Sequence, residues 1–253
     1  MVLGVDVGGT FTDAVLLTPE GVRTAKVPTT PADQSEGLMD AIAAVLREGE
    51  AVERFVHGMT VGTNALLEGR VARTALLATA GFTDIEELGR QARASLYRLC
   101  AGHPPPIVPP QRRVPVSERC GPEGELAPLD ENALRDRLEE GLGDAEAVAV
   151  CLLWGFRHPE HERRAGALAA EARPGVHVSL SHDTAGVFRE HARCATTVVD
   201  AALSPLLRDY LERLSHRTRK AGVPEPEVML SGGGVAPAAS AAAHGSWTVL
   251  SGP

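Results

Sequence analysis

Residues 4–13, Gly4-Val5-Asp6-Val7-Gly8-Gly9-Thr10-Phe11-Thr12-Asp13, decide how this chain is read. The apolar run from Val2 to Val7 predicts a buried strand. Two glycines and a threonine turn the chain. Residues 14–17 predict the returning strand, and Pro19-Glu20-Gly21 turns it again. Gly8 and Gly9 lack a Cβ, so their N–H groups can come close to an anion, and successive N–H groups in such a turn form a concave anion site. Thr10 and Thr12 add hydroxyls. Asp6 would repel a phosphate directly, but it can hold Mg²⁺ through water, and the ion then bridges phosphate oxygens. The set suits the terminal phosphates of a nucleotide. A bare Gly-Gly turn between apolar strands is often only a hairpin; the flanking Asp and Thr-x-Thr-Asp make this string more specific. It is neither a Walker P-loop nor a Rossmann fingerprint, because no Gly-Lys-Ser/Thr follows and the turn leads to a strand rather than a helix.

The 253 residues can bury one large core or two modest ones. Aromatics make up only 4%, so Ala, Val and Leu must build the interior. A net charge of −8 argues against a nucleic-acid partner. No apolar run approaches bilayer length and no basic-then-apolar leader opens the chain, so no membrane and a cytoplasmic location are expected. Cys100, Cys120, Cys151 and Cys194 stand singly, which gives neither a zinc nor a disulfide framework; reduced thiols are expected.

Further along, residues 22–27 predict a third strand. Asp33 caps a helix reaching about Arg47, with Leu38, Ile42, Val45 and Leu46 on its apolar face. Residues 54–57 and 73–79 predict strands, and strands and helices then alternate as in an α/β layered domain. Between them, His57-Gly58-Met59-Thr60-Val61-Gly62-Thr63-Asn64 leads into a helix. His57, Thr60, Thr63 and Asn64 could bind phosphate or a polar substrate there; equally, Thr60 could cap the helix and His57 could be a satisfied strand-end histidine. Arg90, Gln91, Arg93 and Arg98 read as a solvated basic helix face, or as a grip for a carboxylate or phosphate. The proline-rich residues 103–116 predict a stiff extended connection, a candidate boundary between lobes. Residues 147–153 predict a buried parallel strand. His158 and His161 are three apart, which is not the zincin spacing; the string 157–163 reads as a helix entrance with Pro159 in the first turn and Glu160 and Glu162 on the helix dipole. A long helix from Arg193 to about Lys220 is expected to be interrupted or kinked near Pro205. Gly232 and Gly233, in the run 231–234 after a strand, could admit a ligand or merely turn the chain toward an Ala-rich helix.

The first string resembles the phosphate loop of actin, sugar kinase and Hsp70-type ATPases. More narrowly, the chain resembles the hydantoinase A/5-oxoprolinase family. The similarity is carried by residues 6–13, 26–31 (KVPTTP), 57–64 (HGMTVGTN), 81–93 (GFTDIEELGRQAR), 149–163 (AVCLLWGFRHPEHER), 193–201 (RCATTVVDA), 229–234 (MLSGGG) and 251–253 (SGP). The family usually has Thr where Met59 stands and Ser where Ala195 stands, so two hydroxyls are lost. The resemblance implies an α/β fold: an actin-like (ribonuclease H-like) first lobe, its mixed sheet flanked by helices, plus an inserted α/β segment. It implies an N-terminal region over 1–182 and the start of the ATPase domain over 183–253. It also implies ATP and Mg²⁺, with Asp6 organising the metal, Gly8, Gly9, Thr10 and Thr12 cradling phosphate, and Asp13 polarising a water or a substrate group. The implied reaction is ATP-dependent opening of a small cyclic amide such as a hydantoin or 5-oxoproline. ATP-dependent ketone carboxylation, a sugar-kinase-type reaction, and a lobe that only binds a partner are the alternatives. Asp6-Val7-Gly8-Gly9-Thr10 is the only D-x-G-G-T string, and Ser251-Gly252-Pro253 resembles the start of the family's Ser-Gly-Pro-Ala-Gly-Gly stretch. The expectation is therefore a first lobe without its second, and a B-type subunit or that missing lobe as partner.

Overall fold

A computed structural model of the chain describes residues 1–30, 33–98 and 100–251. Pro31 of the KVPTTP block and Gly252-Pro253 of the terminal block lie outside the described residues. The chain runs β1 (Val2–Val7), β2 (Phe11–Thr18), β3 (Gly21–Pro28), α1 (Gln34–Val45), β4 (Arg54–Met59) and α2 (Val61–Leu67). It continues with β5 (Thr74–Thr79), α3 (Ile85–Leu88), β6 (Arg113–Val116), β7 (Arg119–Gly121), β8 (Gly124–Ala127), α4 (Glu131–Gly141), β9 (Ala147–Cys151), α5 (Glu160–Ala172), β10 (His177–Leu180) and α6 (Ser181–Thr184). α7 (Glu190–Lys220), β11 (Glu227–Met229), β12 (Val235–Pro237) and α8 (Ala238–Ala243) follow. No described helix is long and apolar enough to cross a membrane.

Two compact units result: Met1–Val71 with Leu203–Pro253, and Ala72–Ala202. The proline-rich stretch is therefore not a boundary; it lies inside the second unit, and its last residues pair as β6 alongside β5. Two further expectations are corrected. Helix α3 ends at Leu88, so Arg90, Gln91, Arg93 and Arg98 are exposed on irregular chain rather than on a helix face. Helix α7 is not interrupted at Pro205, and it begins three residues earlier than expected, at Glu190.

The first unit holds a mixed six-stranded sheet in the order β12-β11-β4-β1-β2-β3. β1 is antiparallel to β2 and parallel to β4; β11 runs parallel to β4. Burial alternates along β1, so it is not the wholly buried strand expected. Leu3, Val5 and Val7 of β1 face the core with Thr12, Ala14 and Leu16 of β2, and α1 lies against β1, β2 and β3. Asp33 caps α1 by accepting from the Ser35 N–H at 3.1 Å, as expected, and Arg217 of α7 reaches the same carboxylate at 2.7 Å.

The second unit is a parallel four-stranded sheet, β10-β9-β5-β6, beside the β7–β8 hairpin. β5 and β9 are buried along their whole length, the pattern of a sheet covered on both faces. One face carries Leu77, Val148 and Val150 against Leu134 of α4 and Leu168 of α5. The other carries Leu76, Ala147 and Ala149 against Cys194 and Val198 of α7.

A buried polar network closes this unit at the end of β9. Glu162, in the first turn of α5, is fully buried. It accepts from the Leu152 N–H at 2.9 Å, the His182 N–H at 3.1 Å, His182 Nδ1 at 2.7 Å and the Ser181 hydroxyl. Arg193, also fully buried, donates to Ser181 Oγ at 2.9 Å and the Leu152 carbonyl at 2.7 Å, and pairs with Glu190. A Cβ on Gly155 would lie 2.3 Å from Glu162 Oε1, so the chain passing the carboxylate has to be glycine. Glu162 is thus a buried acceptor that ties β9 to α5 and α6, not only a helix-dipole residue. Glu162→Ala would strand several buried donors and is expected to cost about 3–5 kcal/mol. Urea unfolding with Glu162→Gln as the milder comparison checks this; a loss under about 1 kcal/mol would refute the assignment.

Candidate phosphate and metal site at the strand ends

Three parallel strands of the first unit, β1, β4 and β11, point their carboxyl ends the same way. Ligands in α/β sheets bind at such ends. Here the ends carry Asp6 through Thr10, Gly58 through Thr60, and Ser231 through Gly234.

The registers line up a row across the sheet. Gly58 on β4 stands opposite Asp6 on β1, Asp6 opposite Asp13 on β2, and Asp13 opposite Lys26 on β3. Lys26 Nζ donates to both oxygens of Asp13 at 2.9 Å. The lysine is thereby committed to Asp13, and Asp6 lacks that partner. Partial burial and the Asp13 charge push the Asp6 carboxyl above its usual range. A Cβ on Gly58 would sit 2.8 Å from Asp6 Oδ1, so the missing side chain makes the room in which that carboxylate lies.

The turn after β1 leaves part of its backbone open to solvent. Gly8 N–H is taken by the Phe11 carbonyl at 3.0 Å. Gly9 and Thr10 are exposed, and among the described residues their N–H groups enter no turn hydrogen bond. Gly9 lies beside Asn64, whose Nδ2 would be 3.5 Å from an added Cβ.

Strand alternation divides the remaining sequence-derived candidates. Thr12, next to the exposed Phe11, turns onto the buried face; its hydroxyl meets Thr29 Oγ1 at 3.1 Å, and Thr29 donates to the Gly8 carbonyl at 2.9 Å. Thr12 therefore braces the turn from beneath rather than offering a hydroxyl to a ligand. His57 precedes Gly58 and so faces away from Asp6. It is fully buried, with Nδ1 donating to the Val5 carbonyl at 3.1 Å and Nε2 accepting from Tyr210 at 2.9 Å. Burial lowers its pKa to about 4, so it is a neutral core residue and not a ligand. Thr60 stands at the N-cap of α2 but its hydroxyl donates to the Val7 carbonyl at 3.0 Å, joining β4 to β1 rather than capping. Thr63 donates to the Val249 carbonyl. Asn64, which donates to Thr60 Oγ1 at 3.4 Å, is the member of this block that borders Gly9. Gly232 and Gly233 are exposed with open space where side chains would be, and Gly233 has φ +87°, a conformation that favours glycine. Gly58 and Lys26 stand in quoted family blocks, but their places in this row show only once β4 lies beside β1 and β3 beside β2.

Comparison with known proteins agrees with this architecture. The hydantoinase/oxoprolinase N-terminal region matches residues 2–172, and the hydantoinase/oxoprolinase domain matches residues 193–253. This chain belongs to the hydantoinase/oxoprolinase family. Caprolactamase subunit alpha of Pseudomonas jessenii is 34% identical over 252 residues, covering 93% of this chain and 36% of the relative. 5-Oxoprolinase 1 of Arabidopsis thaliana is 31% identical over 289 residues, covering 98% of this chain and 22% of the relative. In structure, the nucleotide-free acetone carboxylase of ATP-dependent acetone carboxylation superposes with TM-score 0.87 at 27% identity, over 100% of this chain and 39% of the other. Membership and these superpositions give the chain the actin-like fold that the resemblance implied. The chain spans well under half the length of these relatives, which include ATP-dependent cyclic amidases and ketone carboxylases.

The assignment of His57 to the core has a pH signature. Its folded pKa lies below the unfolded value of 6.5, so its contribution is intact above pH 6.5 and is lost as pH falls toward 4. Urea melts at pH 7 and pH 4.5 should show most of a loss of roughly 3 kcal/mol that His57→Gln lacks. Equal pH dependence in the two proteins would remove His57 from that role.

Proposed function

We propose that this lobe supplies the first phosphate loop and the magnesium-organising carboxylate of an ATP-dependent enzyme that opens a small cyclic amide, of the hydantoin or 5-oxoproline type. The observation that carries the reading is Asp6: a carboxylate without the lysine that its neighbour has, at a strand end, beside the exposed Gly9–Thr10 turn. The donor set fits Mg²⁺ and phosphate. Asp6 offers oxygen to a hard cation, and the N–H groups of Gly9 and Thr10 offer donors to phosphate oxygens. Gly8 keeps the turn closed, and Thr12 holds it from below through Thr29. Bound MgATP would supply the phosphoryl group that turns an amide oxygen into a leaving group. Asp13 can act on water or substrate only after releasing Lys26; paired, it holds the row in place. Thr63 and His57 have no part in binding, whereas Asn64, Gly232 and Gly233 remain on the side where a nucleotide or substrate would lie.

Two neighbouring readings have support of their own. The superposition on acetone carboxylase suits the ATPase part of a ketone carboxylase equally well. A partner-dependent lobe is favoured by the open face of β1–β3. There Val2, Val15, Leu17 and Val22 are 37%, 39%, 48% and 62% exposed, on the same side as Asp6. A second lobe or a B-type subunit is the proposed cover.

Calorimetry with MgATP on the 253-residue chain tests the site. Asp6→Asn and Gly58→Ala are each expected to weaken binding at least tenfold, the second by displacing the Asp6 carboxylate, with unfolding free energies within about 1 kcal/mol of the parent. Unchanged affinity in both variants would overturn the reading. No binding by the parent would favour the partner-dependent lobe.

A further inference from the structure

The second unit holds a cluster that the proposed reaction does not use. Glu118 precedes β7, Cys120 lies in it, Glu125 lies in β8, and His161 is the second residue of α5. Cys120 and Glu125 are opposite one another in the hairpin, so both side chains leave its same face. His161 meets them there. Its Nδ1 is 2.8 Å from Glu118 Oε2 and 3.5 Å from Cys120 Sγ, and its Nε2 is 2.9 Å from Glu125 Oε2. Glu118, Cys120 and His161 are all buried, and one ligand atom from each lies within 4.8 Å of the others.

The proton arithmetic of the ring makes this cluster informative. Both ring nitrogens face carboxylate oxygens; with Nε2–H toward Glu125 the ring has the orientation that a carboxylate usually gives a ligating histidine. In the neutral ring that leaves a lone pair on Nδ1, aimed at a carboxylate oxygen and a sulfur. Two lone pairs cannot face each other at hydrogen-bond distance without a positive charge between them. The occupant is therefore a proton, making an imidazolium, or a metal ion. Glu118 is oriented in turn, since its other oxygen accepts from the Thr79 hydroxyl, which itself accepts from the Leu153 N–H at 3.0 Å. Both would-be ligands thus have outer partners that fix their aim.

We propose that Glu118, Cys120 and His161 bind a borderline-soft divalent cation of the zinc class, clamping the β7–β8 hairpin to the start of α5. The mixed oxygen, sulfur and nitrogen donors suit zinc and cobalt rather than magnesium or calcium. Metal–ligand lengths of about 2.0–2.3 Å in a tetrahedron put nitrogen and sulfur about 3.5 Å apart, the separation of Nδ1 and Sγ here. Nitrogen and oxygen would stand about 3.3 Å apart, so Glu118 withdraws by about half an ångström as the ion replaces the proton. Three protein ligands leave the fourth position to water. The paired histidines of residues 158 and 161 are not the ligand set; His158 is half-buried and reaches only toward the Pro122 carbonyl at 3.4 Å.

The chain, stripped with a chelator, is titrated with Zn²⁺ by calorimetry and with Co²⁺ by absorbance. One equivalent should bind, and cobalt should give a thiolate-to-metal charge-transfer band. Cys120→Ser should abolish that band, and Glu118→Gln should weaken zinc binding at least tenfold. Nitrogen-15 spectra of the unsubstituted chain give a reading that needs no variant: His161 Nδ1 should move from its protonated position to a metal-bound one as Zn²⁺ is added. Absence of binding, a cobalt spectrum without a sulfur band, or a His161 that stays doubly protonated at saturating Zn²⁺ would overturn the proposal and leave the proton as the occupant.

Discussion

Strand β1 is hydrogen-bonded along both edges, antiparallel to β2 and parallel to β4, and the candidate site follows from those two registers. Side chains in a strand alternate between faces with a period of two residues. Leu3, Val5 and Val7 therefore belong to the core, while Asp6 belongs to the open face. A slip of one residue would drive the Asp6 carboxylate into the core and bring Val5 and Val7 out of it, at a cost far above the strand's own stability. Burial of the leucine–valine face is what fixes the position of the aspartate. The same alternation assigns Thr12 and His57 to the core side and Asp13 and Gly58 to the other.

Charge then distinguishes residues that share the open face. Asp6, Asp13 and Lys26 form a row with two negative charges and one positive. Lys26 neutralises the aspartate it touches. Two exposed unit charges a few ångströms apart interact by about 1–4 kcal/mol, so the remaining negative charge is concentrated at Asp6 and attracts a cation. The neutral route, protonation, is favoured by the same neighbours that raise the Asp6 pKa. A divalent ion would remove that repulsion without the proton. Gly58 contributes by absence, because any side chain there would occupy the volume that Asp6 needs.

Local features were legible in the sequence. The hairpin and its glycine turn, the Asp33 cap, the wholly apolar residues of β9 and the family string at Asp6 each depend on neighbours within a few positions. The features that escaped it depend on contacts between distant segments. Glu162 looks like a first-turn helix acid until Leu152, Ser181 and His182 are found on its oxygens. Within its own string His161 has only His158 as a like neighbour, three positions away, whereas its partners Glu118 and Glu125 lie some 40 residues earlier. The prolines of 103–116 suggested a lobe boundary because they break regular structure, yet chain stiffness says nothing about which core a segment joins. β12 is illegible in the sequence for a related reason: a three-residue strand with a proline carries almost no pattern of its own and is fixed by pairing with β11.

Glu162 and Asp6 are two carboxylates in opposite circumstances. Glu162 in the second unit is fully buried and accepts from four donors, the Leu152 and His182 N–H groups, His182 Nδ1 and the Ser181 hydroxyl. Such a group has already spent its charge on the fold, and removing a partner costs several kcal/mol. Asp6 in the first unit is exposed at a strand end, lacks an ion-pair partner of its own and sits above a glycine that keeps its space clear. Its charge contributes little to folding and is unfavourable beside Asp13. Asp6 is thus a carboxylate whose charge the fold does not use, and that is the ground on which a cation is proposed there. Stability alone would favour an amide or an apolar residue at position 6, so the aspartate is better explained by a cation bound there than by the sheet that presents it.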